Sequence, residues 1–366
     1  MITGIDELRI EELTIPASVS GPDAADFIDM AVLRNEVAAH TLGTDDLAYS
    51  PAELLPTCLD PHLPQRILLA RQGGALIGCG IYEAPIEDGS SALDDGTVAW
   101  LSVEVRPAFR RRGVGGALYR RLAELAERDH RPILQAEVLH AAAPGARIDA
   151  PTGFGSVPRD TPETRFLLRR GYRLEQVERV SRLTLPLPPA VIAAHLAAAR
   201  ADAGTDYRTL VWEGPTDERW LSDLAHLHER MSTDAPSAGL EIPAEHWDAE
   251  RMRTAEELER SGPRTLLHAV IEHAPSGRLV AFNELSVPAE PDRAVEQRDT
   301  LVLREHRGHR LGMLVKGANL LQLEATHPGH RSVTTFNAEE NRHMLAVNEA
   351  LGFFGIGYAA GWRKTD

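Results

Sequence analysis

Cysteine is nearly absent from this chain. Its 366 residues contain two, Cys58 and Cys79, so a disulfide framework is excluded and a cysteine-rich zinc site is disfavoured. Cations are also short: 39 Lys and Arg face 54 Asp and Glu, a net charge of −15. Such a surface repels phosphate backbones, so nucleic acid is not expected as a main partner, whereas a cationic substrate is mildly favoured. Long apolar runs are missing as well. The mid-chain stretch from Leu185 to Ala199 is broken by Pro186, Pro188, Pro189 and His195, too short and too interrupted to span a bilayer. The acidic start, MITGIDELRIEEL, lacks the basic and apolar regions of a signal peptide. A cytoplasmic protein without membrane or metal is expected.

What is present is ordinary globular composition, 43% hydrophobic and 25% charged. The length exceeds the roughly 250–300 residues at which one core stops growing, so two domains are expected. The run Leu185-Pro186-Leu187-Pro188-Pro189 cannot be a central strand or a helix interior, because proline lacks an amide donor and fixes φ. It marks the boundary. The expected division is 1–188, a linker helix at 189–205 packed between the halves, and 206–366.

The halves repeat one pattern. Amphipathic helices are predicted over Pro22–His40 and Thr216–Met231. Strand pairs follow at Arg66–Arg71 with Ala75–Tyr82, and at Thr265–His273 with Leu279–Val287. Gly73-Gly74 and Ser276-Gly277 stand where tight hairpins need them. A third strand, Val98–Val105 or Thr300–Leu303, then runs into an Arg/Gly loop and another helix. Helix, antiparallel strands, loop, helix, strand, helix and strand describe an α/β layered domain with a mixed, mostly antiparallel sheet, present twice.

The loop in half one carries Arg110, Arg111, Arg112, Gly113, Val114, Gly115 and Gly116 after Val103 and Val105. Unpaired amides and partial positive charge at a helix start make an anion site, and arginine adds forked donors. An ordinary turn with a solvated basic face is the alternative. No Gly-Lys-Ser/Thr follows, which excludes a Walker A loop. Antiparallel strands before the loop disfavour a dinucleotide fold. Half two has Val302, Arg307, Gly308, His309, Arg310, Leu311 and Gly312 in the same register. Arg310 replaces the first glycine, and it is expected either to be accommodated in αR or to reshape the loop.

This arrangement resembles the GNAT superfamily of acetyl-CoA-dependent N-acetyltransferases, as a tandem. The signature Arg/Gln-x-x-Gly-x-Gly/Ala after a Val-x-Pro strand end is met by Arg110, Gly113, Gly115, Val105 and Pro107. A second family pattern, Asn-x-x-Ala-x-x-Leu-Tyr-x-x-x-Gly-Phe, resembles the spacing of Asn341, Gly352 and Phe353. The resemblance implies that loop amides hold the CoA pyrophosphate, that the strand edge and Asn341 hold the pantetheine arm, and that an amine is acetylated. Asn348 and Leu167 stand where the family's proton-donating Tyr is expected, so Asn348 is read as a hydrogen-bonding partner of the sulfur. Glu296, eleven before Arg307, matches the family's strand base, with Asp299 and Glu284 as rivals; half one has Ala99 there. Half two is therefore preferred as catalytic. Ser232 to Trp247, with Asp234, Glu241 and Glu245, is the candidate acceptor loop. The reading is N-acetyl transfer to a small-molecule primary amine; protein or peptide acetylation and a non-catalytic acyl-CoA sensor are the alternatives.

Overall fold

The computed structural model describes residues 7–84 and 96–365. It divides into two compact units. Unit 1 comprises Met1–Glu178, Ser237–Pro243 and Gly357–Asp366, and unit 2 comprises Arg179–Pro236 and Ala244–Ile356. The straight boundaries at 188 and 206 thus give way to an interleaved division.

Unit 1 contains β1 (Arg9–Glu12), α1 (Ala25–Leu42), α2 (Pro51–Cys58), β2 (Gln65–Gln72), β3 (Ala75–Glu83), β4 (Val98–Val105), α3 (Val114–Arg128) and β5 (Ile133–His140). A small hairpin, β6 (Arg147–Asp149) with β7 (Ser156–Pro158), leads into α4 (Pro162–Leu168). Strand β8 (Arg173–Thr184) carries the chain out of this unit. Gly73 and Gly74 both have positive φ, as a two-residue hairpin turn requires. On one sheet face Leu118, Leu122 and Leu125 of α3 meet Leu101, Leu134 and Ala136; on the other, Phe27, Met30 and Leu33 of α1 meet Ile67, Leu69 and Ile81. Helical spacing of the apolar residues builds both layers.

Unit 2 contains α5 (Pro189–Ala203), β9 (Tyr207–Glu213), α6 (Glu218–Asp234), α7 (Ala249–Ser261), β10 (Thr265–His273), β11 (Arg278–Val287), β12 (Val295–Val302), α8 (Leu311–Thr326), β13 (Ser332–Ala338) and α9 (Arg342–Leu351). The third strand begins at Val295, five residues before the expected Thr300. Rather than acting as a spacer, α5 joins unit 2's core through Ile192, Leu196 and Ala199.

The last strand, β14 (Phe354–Thr365), leaves unit 2 after Ile356. Its residues Tyr358–Thr365 pair antiparallel with His140–Ile133 of β5. Trp362 is fully buried in the unit 1 core. A central strand needs both edges satisfied, and this borrowed strand provides the second.

Candidate active site

In both units the third strand and its parallel partner pair briefly and then separate. In unit 1 the β4–β5 ladder runs from Val98↔Ile133 to Trp100↔Gln135. Beyond it opens a cavity of about 460 Å³. Gly113, Gly115, Tyr119, Phe166, Arg170 and Tyr172 line the α3/α4 side; Val37, Thr41, Ser102, Glu104, Glu137 and Leu139 line the α1 side. Alternation along β4 explains this: Val103 and Val105 pack with α3, whereas Ser102 and Glu104 face α1. The cavity therefore passes through the sheet at the splay.

The loop geometry follows from its residues. Arg111 (φ 64°) and Gly113 (φ 88°) adopt the left-handed conformation, turning the chain so that α3 starts at Val114. A Cβ on Gly115 would lie 3.3 Å from the Phe166 ring and 3.5 Å from Val105, closing the crook between strand and helix. Val114 is buried in the core instead of lining the cavity. Arg110 folds back: its Nε donates to the Val105 carbonyl (3.1 Å) and Nη1 to Glu163 (3.1 Å). It thus staples the loop to the strand end and to α4. Arg112 lies over the Phe109 ring.

Several site residues escaped the sequence reading. Arg165, Arg169 and Arg170, from the α4 segment, also line the cavity. The Arg170 guanidinium sits 3.5 Å from the Phe166 ring centre and 4.8 Å from that of Tyr119, and burial lowers its pKa. The Tyr119 and Tyr172 oxygens are 3.5 Å apart. The only hint available was an Arg-rich helix end, Arg165 to Arg170, before Gly171.

On the α1 side, Glu104 is engaged by Arg34 (3.4 Å) and receives the Cys79 thiol (3.8 Å). Glu137 lines the cavity, and its carboxylate has no hydrogen bond or ion pair among the described residues. Burial pushes its carboxyl up, and the Glu83 charge adds to the shift.

Unit 2 keeps the backbone and carries other side chains at the splay. Gly308 (φ 91°) and Arg310 (φ 55°) repeat the two left-handed positions. Arg310 is therefore neither in αR nor a cause of reshaping; it accepts the αL cost, about 1–2 kcal/mol, and its guanidinium pairs with Asp202. Arg307 repeats the staple, donating to the Val302 carbonyl at 3.0 Å. Asp234, 1% exposed, pairs with both Arg304 and Arg307. His309 stacks near Tyr207, and Leu311 and Gly312 are buried. Past the short β12–β13 ladder, Gln297 Nε2 donates to Thr335 Oγ1 at 3.1 Å. Behind it, buried Lys316 donates to Asn348 Oδ1 (2.9 Å), and Asn348 Nδ2 donates to Asn337 Oδ1 (2.5 Å). Asn341 caps α9, accepting from the Met344 amide. Glu296 lies 3.7 Å from Arg298, 26% exposed.

Burial pushes Lys316 down to about 7. Its proton is then held more tightly by the unfolded chain, so this residue costs stability at neutral pH, and the cost shrinks as pH rises toward the ordinary lysine value. Relative to Lys316→Met, the wild type should gain on the order of 2 kcal/mol between pH 7 and pH 9. Paired urea titrations at the two pH values measure this; parallel curves would refute it.

Residues 33–145 match the acetyltransferase (GNAT) family. The structure superposes on a tandem GNAT protein from the clavulanic acid biosynthesis pathway, with TM-score 0.70, 23% identity and 98% of each chain covered.

The chain has the tandem GNAT fold.

The family match falls within unit 1. A GCN5-related N-acetyltransferase from Sphaerobacter thermophilus is also similar (TM-score 0.59, 16% identity, 98% of this chain and 95% of that one). So is an acetyltransferase from Pyrococcus horikoshii (0.53, 13%, 98% and 89%). No curated protein matches the sequence significantly. Among the described residues of this tandem GNAT chain, no helix is long and apolar enough to cross a membrane.

Proposed function

We propose that this tandem GNAT protein transfers an acetyl group from acetyl-CoA to a primary amine of a small molecule, and that the reaction runs in unit 1. The carrying observation is the cavity that joins the α3 N-terminus to the α1 face through the β4–β5 splay. Its volume lies within the roughly 300–1,000 Å³ typical of small-molecule sites. Unit 1 is preferred to half two because Lys316, at the register of Tyr119, is buried there and bonded to Asn348, and Gln297 is bonded to Thr335.

The amides of Arg111–Gly116 and the cavity-lining arginines hold the phosphates. The peptide groups of Val103 and Val105 hold the pantetheine arm, which delivers an acetyl thioester. Glu137 takes the proton of the incoming ammonium; a raised carboxyl suits that task better than an ordinary one. The amine nitrogen bonds to the carbonyl carbon, the C–S bond breaks, Tyr119 gives its proton to the departing thiolate, and the second proton that the nitrogen sheds on becoming an amide restores Tyr119. Glu104 is held by Arg34 and shapes the acceptor wall. The acidic wall favours a cationic amine, and the enclosed cavity favours a small molecule over a protein surface.

The test is titration of acetyl-CoA into the full chain by calorimetry, with one site expected. Gly115→Val fills the crook and denies the phosphates two or so charge-assisted contacts, about 3 kcal/mol or roughly 100-fold in affinity. Unchanged affinity in a folded variant would move the site away from unit 1.

A further inference from the structure

Resting on acetyl transfer in unit 1, we infer that Leu240 sets acceptor specificity there: the Ser237–Pro243 segment walls the space beside Glu137, and the acceptor carries its amine on an apolar alkyl or aryl body.

The segment lies in the chain between α6 and α7, yet it belongs to unit 1. It starts with a turn in which Ala238 has φ 50° and the Leu240 amide donates to the Ser237 carbonyl at 2.9 Å. It then crosses three neighbouring strands in the order β8, β14, β5. Gly239 abuts Glu175 of β8, and its carbonyl accepts from Arg363 Nη1 of β14 at 3.0 Å. Leu240 sits on Gly361 of β14. Glu241 reaches β5, where its amide donates to Gln135 Oε1 at 2.7 Å and its carbonyl accepts from Gln135 Nε2 at 3.0 Å. Gln135 is fully buried, and this one backbone residue takes both a donor and an acceptor from it. The Glu241 carboxylate is bound by Arg363 at 2.8 Å.

Register puts this wall beside Glu137. Gly361 pairs with Glu137 in the β5–β14 ladder, and paired residues of antiparallel strands share a face with Cβ atoms roughly 4.5–5.5 Å apart. A Cβ on Gly361 would lie 2.5 Å from Leu240 Cδ1. The place next to the Glu137 side chain is therefore held by Leu240, and only glycine beneath leaves room for it. Leu240 is half-buried and belongs to neither apolar core of unit 1, so its open side is apolar surface without another use. On the β4 side of Glu137, Val37, Ala38 and Thr41 of α1 line the cavity.

An ammonium that meets Glu137 in this gap has its carbon body between α1 and Leu240. The polar groups there are committed: the Thr41 hydroxyl donates to the Val37 carbonyl at 2.9 Å, and Glu104 is held by Arg34. Removing apolar area from water favours an alkyl or aryl body. The hydroxyls of an amino sugar would give up water against Leu240 without a partner.

The probe is n-hexylamine, titrated calorimetrically into the full chain. Ethylamine carries the same ammonium on a shorter body, and glucosamine is the polar control. Hexylamine should bind roughly tenfold tighter than either. Leu240→Ala should weaken hexylamine about threefold or more and leave ethylamine within about twofold, with acetyl-CoA affinity and the circular dichroism spectrum unchanged. If Leu240→Ala fails to fold, the near-isosteric Leu240→Asn takes its place with the same expectation. Absence of hexylamine binding, equal binding of hexylamine and ethylamine, or undiminished hexylamine binding by the variant would overturn the assignment. The unit 1 reading fails separately: hexylamine turnover unmoved by Glu137→Gln would take the base role from Glu137 and leave the Leu240 wall standing.

Discussion

Glu137→Gln should lower turnover by roughly 10²–10⁴-fold with little change in acetyl-CoA affinity. The side chain keeps its size and place on β5, so the cavity is preserved. What is lost is the group that accepts the ammonium proton. Because burial and the Glu83 charge raise the Glu137 carboxyl, wild-type kcat/KM should fall as pH drops through a value above the usual glutamate range; that limb should disappear in the variant. Steady-state rates across pH, paired with acetyl-CoA titration, measure both effects. A near-normal rate with an unchanged acid limb would hand the base role to Glu104 or to a group outside unit 1. Glu296→Gln, by contrast, should leave the rate within a few-fold of wild type.

Trp362→Ala should destabilise unit 1 by about 3–5 kcal/mol, although residue 362 follows all of unit 2 in the chain. Its ring is fully buried beside Ala136 and Leu134 in the core that supports α3. Domain stabilities are about 5–15 kcal/mol, so a loss of that size removes much of the margin. The readout is denaturant unfolding followed by acetyl-CoA binding: the binding transition should shift to lower denaturant. A shift below about 1 kcal/mol would show that β14 is not an integral strand of unit 1. The same reasoning says that a fragment ending near residue 188 lacks one strand of its sheet, so acetyl-CoA binding is to be measured on the full chain.

Much of the fold was legible locally. Apolar spacing marked α1 and α6, the Gly73-Gly74 and Ser276-Gly277 turns marked the hairpins, and the five-residue offset from Val105 to Arg110 and from Val302 to Arg307 marked two copies of one loop. These features are set by short-range sterics and periodicity, which sequence states directly. The same offset also turned out to be a contact, since each arginine donates to the carbonyl five residues before it.

The choice between the two copies was not legible. The sequence favoured half two, on Glu296 and Asn341, because spacing says where a residue falls along the chain and not what fills the space beside it. Only tertiary packing showed Lys316 reaching Asn348, Asn341 capping its own helix, and Glu137 alone in an open cavity. The destination of the last strand was equally hidden. Residues Tyr358–Thr365 carry a short continuous buried run, Ala359–Trp362, and such a run fits the interior of either sheet. Which one accepts it depends on an unpaired edge at β5, created some 220 residues earlier and recognised only when the chain is folded.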